Sequence, residues 1–107
     1  MVVVLFTLLP SCAPSRDEFP AELAKALCAA ERECQADDAT QTGDPFDYSL
    51  CVEQLTVMND EEMCDFSGRD ADQCLEEARE ETCADRDQRI RSGDFVPEAC
   101  VPLFRCD

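Results

Sequence analysis

The sequence predicts an all-α fold, namely a small disulfide-stapled bundle of about three helices with a crosslinked C-terminal tail. Apolar residues recur at helical spacing in three segments of the chain. Eight of the nine cysteines are distributed over the part of the chain that carries these segments. With 107 residues, no Trp and one Tyr, the chain can bury only a small core. Domains of this size usually need covalent support.

The first predicted helix begins near Pro20, which suits a first helical turn, and Asp17 and Glu18 lie near its positive end. Its apolar stripe has steps of four, four, three and four residues: Phe19, Leu23, Leu27, Ala30 and Cys34. Cys28 and Cys34 are about 120° apart around the helix axis. They therefore cannot bond each other within the helix, and each needs a separate partner.

Residues 36–47 form a predicted loop, and a second helix is predicted over residues 48–58 with Asp47 or Ser49 as its cap. The residues on one face of this helix are Cys51, Leu55 and Met58. Its β-branched residues also permit a strand. Residues 59–64 are predicted to form a short helical turn that carries Cys64.

A third helix is predicted over residues 70–92, with Asp70 as its cap and Gly93 as its stop signal. Its buried stripe is predicted to contain Leu75, Ala78 and Thr82. Cys74 and Cys83 flank the stripe on opposite edges, so they need different partners. The following tail holds Pro97 and Pro102, which suits a helical turn and a crosslinked loop.

An odd number of cysteines indicates that one of them has a separate role. Zinc is disfavoured because the chain has no His and no short Cys-x2-4-Cys knuckle. If Cys12 is set apart, four disulfides can form among Cys28, Cys34, Cys51, Cys64, Cys74, Cys83, Cys100 and Cys106. If the first two helices form an antiparallel hairpin, the best single prediction is a Cys34–Cys51 bond.

The N-terminal apolar run, residues 2–9, is much shorter than the ~20 residues that span a bilayer. It is typical of the apolar part of a secretory signal. The segment that follows, Leu9-Pro10-Ser11-Cys12, resembles the lipobox of bacterial lipoproteins. The resemblance implies a signal peptide at 1–11, a lipid on Cys12, a tether at 12–18 and a Cys-rich acidic helical domain at 19–107.

Two further expectations concern the location of the protein. In lipoproteins of this kind, Ala13 rather than Asp after the lipidated cysteine implies the outer membrane of the cell envelope. Ordinary secretion, with cleavage after Ala13, and a retained short membrane anchor remain the alternatives. Lipidation and ordinary secretion both remove Cys12 from the cysteines available for disulfides.

The charge balance is strongly acidic, with 9 basic and 25 acidic residues and a net charge of −16. Such a surface repels nucleic acid and anionic lipid head groups. Three interpretations remain for the acidic third helix: a solvated face, a docking face for a basic partner protein, or a weak Ca²⁺ site. The Ca²⁺ candidates are Asp65, Asp70 and Asp72, around Gly68.

The sequence predicts no catalytic residue and no cofactor. Without His, no Ser-His-Asp or Cys-His arrangement is possible, and a Cys-x2-Cys redox pair is also missing. The sequence therefore predicts a membrane-tethered, non-enzymatic envelope lipoprotein that acts as a surface interaction or structural module. The alternatives are a weak Ca²⁺-binding module and a freely secreted disulfide-rich effector or inhibitor.

Overall fold

The computed structural model describes residues 14–36 and 46–106. These residues form four α-helices and one 3₁₀ helix, without a strand: α1 (Phe19–Ala36), α2 (Tyr48–Glu62), α3 (Gly68–Glu80), α4 (Cys83–Arg91) and the C-terminal 3₁₀ helix (Glu98–Phe104). The predicted all-α, disulfide-stapled class is confirmed, but the helices outnumber the three expected. No helix within these two ranges is long and apolar enough to cross a membrane. The predicted signal peptide and Cys12 lie outside the described residues.

Helices α1 and α2 form an antiparallel hairpin. Near one end, Nδ2 of the buried Asn59 donates a hydrogen bond to the Pro20 carbonyl at 3.0 Å. Near the other end, the guanidinium of Arg32 lies 4.4 Å from the centre of the Tyr48 ring. Of the two predicted caps, Asp47 fixes the start of α2, because its carboxylate accepts a hydrogen bond from the backbone N–H three residues later. The segment predicted as a separate turn after residue 58 continues α2 to Glu62.

The predicted Cys34–Cys51 bond is wrong, because Cys51 bonds Cys28 and Cys34 bonds Cys83. The register of the hairpin explains the correction, since it places Cys28 opposite Cys51. Cys34 lies six residues farther along α1, about 9 Å away, and it reaches α4 instead. The two cysteines of α1 therefore have separate partners, as the helix geometry required.

The long third helix predicted from the sequence is divided at Glu81 and Thr82 into α3 and α4. Thr82 does not lie on a buried stripe; it is exposed and caps α4, with its hydroxyl accepting a hydrogen bond from the Asp85 N–H at 3.0 Å. The cap of α3 is Ser67, whose hydroxyl accepts from the Asp70 N–H. Asp70 therefore belongs to the first turn of α3 and is not its cap.

The C-terminal tail is crosslinked to the bundle twice. Gly93 follows α4 with a φ of 85°, the left-handed conformation of a helix stop. The 3₁₀ helix then packs on α3, to which it is joined by the Cys74–Cys100 disulfide. The Cys64–Cys106 disulfide joins the end of the tail to the segment after α2.

The core lies where α1, α3 and the 3₁₀ helix meet. Its buried residues are Phe19, Leu23, Leu27, Met63, Ala71, Cys74, Leu75, Ala78, Val96, Cys100 and Leu103. Several other large apolar side chains remain exposed: Leu50, Val57, Met58, Ile90, Phe95 and Val101. A core this small makes each disulfide important, since a disulfide typically contributes about 2–4 kcal/mol to stability.

Candidate functional site

An acidic groove of about 990 Å³ lies between α3, the start of α4 and the C-terminal segment. Seven carboxylates line it: Glu76, Glu77, Glu80, Glu81, Asp85, Asp94 and Glu98. Its other walls include the apolar Val96, Pro97 and Val101, and its basic lining residue is Arg89. We call this surface the acidic groove.

Arg89 is held within the protein by four hydrogen bonds. Its Nε and Nη2 donate to the two carboxylate oxygens of Glu81 at 2.8 and 2.9 Å. Its Nη1 donates to the carbonyls of Asp94 and Phe95 at 3.2 and 3.1 Å. The pair is largely shielded from solvent, because the Arg89 and Glu81 side chains are only 11% and 8% exposed. Arg89 therefore holds the loop after α4 in place and is not free to neutralise other carboxylates.

Glu77 has a structural contact, since its Oε1 accepts a hydrogen bond from the Ala99 N–H at 2.7 Å. The other carboxylates of the groove are exposed, and no basic group of the described residues lies within ion-pair distance of them: Glu76, Glu80, Asp85, Asp94 and Glu98. Carboxylates in such surroundings accept strong hydrogen bonds from ammonium and guanidinium groups. The acidic groove is therefore suited to binding cationic side chains.

A second groove of about 810 Å³ lies between α2 and α4, with α1 as its floor. Four of the exposed large apolar side chains line it, namely Leu50 and Met58 from α2, Ile90 from α4, and Phe95 from the loop after α4. We call this surface the apolar groove. It is distinct from the acidic groove, although Arg89 and Asp94 border both.

The floor of the apolar groove contains a second ion pair, in which Arg86 of α4 contacts Glu31 of α1. The Gln35 side-chain amide also donates a hydrogen bond to Glu31. Burial lowers the pKa of Arg86, and the nearby charge of Arg89 acts in the same direction, whereas Asp87 opposes both. This pair holds α4 against α1 and thereby fixes one wall of the groove.

The structure does not bring the three Ca²⁺ candidates together as a metal site. Asp65 is exposed in the segment after α2, Asp70 lies in the first turn of α3, and Asp72 is exposed on that helix. Across residues 14–36 and 46–106, no three His, Cys, Asp or Glu side chains are grouped so that they could hold a metal ion. The acidic third helix instead contributes Glu76, Glu77 and Glu80 to the acidic groove.

Sequence reasoning identified the acidic stretch but missed the apolar groove. The available signal was the spacing of Leu50 and Met58, which are eight residues apart and thus on similar faces of α2. Periodicity alone does not reveal whether another helix covers such a face.

The comparisons with known proteins leave the grooves as the main guide to function. No protein-family model, curated protein or solved structure matches this chain. Its function is therefore inferred from its own residues and their arrangement.

Proposed function

We propose that this protein is a membrane-tethered, non-enzymatic envelope lipoprotein that acts as a surface interaction module, with the acidic groove as the docking site for a basic partner protein. One observation carries the docking site: five exposed, unpaired carboxylates line a groove whose arginine is already engaged. The net charge of −16 would draw a cationic partner toward this surface.

The groove combines two features that a Lys or Arg side chain uses. The methylene stem of such a side chain packs on apolar surface while its charged end stays solvated, and Pro97 and Val101 provide apolar surface here. The charged end would then reach the carboxylates of Glu76, Glu80 or Glu98. Binding of this kind weakens as salt screens the charges.

A charge-matched pair of variants tests the docking site. We expect the groove variant E76Q/E80Q/E98Q to bind a synthetic Arg-rich peptide about tenfold or more weakly than the unmodified protein, because it removes the carboxylates that the peptide contacts. The measurement is a calorimetric titration at physiological salt.

The control variant removes the same number of charges outside both grooves, at the exposed positions Glu33, Glu53 and Glu61, each replaced by Gln. We expect it to retain most of the affinity. An equal loss in both variants would show that the peptide responds to net charge alone, and the acidic groove would no longer be a specific docking site.

The odd number of cysteines supports the tether. The four disulfides use eight of the nine cysteines and leave Cys12, which is the cysteine of the lipobox-like segment. Disulfides at this density are also typical of an oxidising compartment outside the cytoplasm. Two or more acyl chains at Cys12 would anchor the domain stably, and Ala13 favours the outer membrane in proteins with this motif.

The mass of the mature protein tests the tether. We expect a chain that begins at Cys12, carries fatty-acyl mass and gains eight hydrogens on reduction of its four disulfides. The Cys12→Ser variant should lose the acyl mass and its partition into detergent. A mature chain that begins after Ala13 without acyl mass would instead establish secretion.

A further inference from the structure

We propose that the apolar groove is a second docking site, which receives an amphipathic helix of a partner protein whose apolar stripe is flanked by Lys or Arg. The inference does not depend on the tether, and the apolar groove shares only Arg89 and Asp94 with the acidic groove. Its evidence is the concentration of exposed apolar side chains, the covalent fixation of both walls and the charge at the rim.

The apolar surface of the described residues is concentrated in this groove. Leu50, Met58, Ile90 and Phe95 are 46%, 37%, 48% and 38% exposed, and all four face the same space between two helices. A concave surface lined mainly by apolar side chains is typical of binding sites. Leu50 and Met58 are about 12 Å apart along α2, so the wall is long enough for about two turns of a docked helix. In helix-in-groove recognition, the apolar residues at positions i, i+3, i+4 and i+7 of the docked helix enter such a groove.

Both walls of the groove are covalently joined to its floor. The Cys28–Cys51 disulfide joins α2 to α1, and the Cys34–Cys83 disulfide joins α4 to the same helix. The contact between Glu31 and Arg86 adds a third link on the floor. The groove is therefore formed before any partner arrives, so binding requires little ordering of the protein.

The charge at the rim identifies the kind of partner. Arg86 and Arg89 are each paired with a carboxylate. Asp47 and Asp94 also line the groove, and no basic group of the described residues pairs with either. The unbalanced charge at the rim is therefore negative, which complements cationic residues beside an apolar stripe.

The same charge argues against other occupants. A second copy of this chain would bring a further net charge of −16 to the interface, and the two copies would repel each other. The surface of an anionic membrane is repelled for the same reason. A cationic amphipathic helix complements both features, because its apolar face can pack on the apolar surface and its basic residues can pair with the negative rim.

Two peptides of identical composition test the inference on the oxidised full chain. One is a synthetic Lys/Leu peptide of about 18 residues, with leucines on one helical face, and the other is its scrambled form, which has no apolar face. We expect the amphipathic peptide to bind at least about tenfold more tightly at physiological salt, measured by calorimetry. Equal affinities would overturn the inference, because charge alone would then explain binding.

Groove variants locate the binding. The double variant L50Q/I90Q should abolish the preference for the amphipathic peptide, and the milder L50A/I90A should reduce it if the first variant folds poorly. The matched control is Val57→Gln, because Val57 is an exposed apolar residue of α2 outside the groove, and it should keep the preference. A preference that survives in both groove variants, or dimers of this chain that these variants dissociate, would overturn the inference.

The acidic-groove variant E76Q/E80Q/E98Q separates this inference from the proposed function. We expect this variant to keep the preference for the amphipathic peptide over its scrambled form, while it loses affinity for the Arg-rich peptide. A loss of both properties in this variant would show a single acidic site and would overturn the second docking site.

Discussion

Arg89 and Arg91 lie two residues apart on α4, but their surroundings differ strongly. The Arg89 side chain is 11% exposed and forms its bidentate pair with Glu81, whose side chain is 8% exposed. The Arg91 side chain is 78% exposed and pairs with Asp87 at 2.9 Å in solvent. Removing one member of a buried pair leaves a desolvated charge behind, whereas an exposed pair contributes little. The two arginines therefore provide a matched comparison.

We predict that Arg89→Gln lowers the free energy of unfolding by about 3 kcal/mol or more, because Glu81 and two carbonyls lose their donor. Arg91→Gln should lower it by about 0.5 kcal/mol at most. Urea denaturation of the oxidised proteins, followed by circular dichroism, measures both values. Similar effects of the two substitutions would contradict the buried position of the Arg89 pair.

The boundary between α3 and α4 shows how contacts between elements override a local pattern. No Gly or Pro interrupts residues 70–92, so the sequence pattern favours one helix. The like-charged Glu77 and Glu81 are four residues apart and weaken that helix slightly. The Cys34–Cys83 disulfide holds the second half of this segment, which forms α4, against α1. The helix is therefore interrupted at residues 81 and 82.

We predict that Thr82→Ala lowers the free energy of unfolding by about 1 kcal/mol, because the cap of α4 loses its hydroxyl acceptor for the Asp85 N–H. Thr82→Ser should retain most of the stability, since it keeps that acceptor. Thermal and urea denaturation of the two variants measure the difference. If the two substitutions had equal effects, or if Ala stabilised the protein, the capping role of Thr82 would be refuted.

The elements that the sequence predicted well are those with local signals. The Asp47 cap, the Gly93 stop and the apolar stripe of α1 each depend on residues within one or two helical turns. The pairing of cysteines depends instead on the register between helices, which explains the wrong Cys34–Cys51 prediction. The apolar groove was missed for the same reason, since helical periodicity does not show whether Leu50 or Ile90 is covered.

At the scale of the whole molecule, the four disulfides differ in their accessibility. Cys64 and Cys106 are both exposed, whereas Cys74 and Cys100 are fully buried. A reducing thiolate must reach a sulfur atom in order to attack it. The end of the tail is therefore held by the most accessible crosslink, while the core is crosslinked from inside.

We predict that a mild reductant opens Cys64–Cys106 first and Cys74–Cys100 only after unfolding begins. Partial reduction, alkylation of the free thiols and peptide mass spectrometry identify the order. The control is reduction in denaturant, where all four disulfides are accessible and should react at similar rates. Early alkylation of Cys74 or Cys100 in the folded protein would contradict the burial of their disulfide.

The net charge of −16 affects the stability of the whole molecule. Folding brings the 25 acidic residues closer together, against only 9 basic ones, so the folded chain repels itself. Most ion pairs of the described residues are exposed and contribute little to stability. Salt therefore costs the folded protein little stability when it screens them. The Arg89–Glu81 pair, which is largely shielded from solvent, is screened much less. Added salt therefore weakens the repulsion among the acidic residues more than it weakens the attraction within the ion pairs.

We predict that raising sodium chloride from roughly 20 mM to about 500 mM, which shortens the Debye length several-fold, increases the free energy of unfolding. The triple variant of Glu33, Glu53 and Glu61 to Gln carries three fewer negative charges and no change in either groove. It should be more stable than the unmodified protein at low salt and should respond less to added salt. Urea midpoints across the salt series measure both effects, with sucrose as a control for non-ionic stabilisation. A decrease in stability with salt would mean that ion pairs outweigh the self-repulsion of the acidic surface.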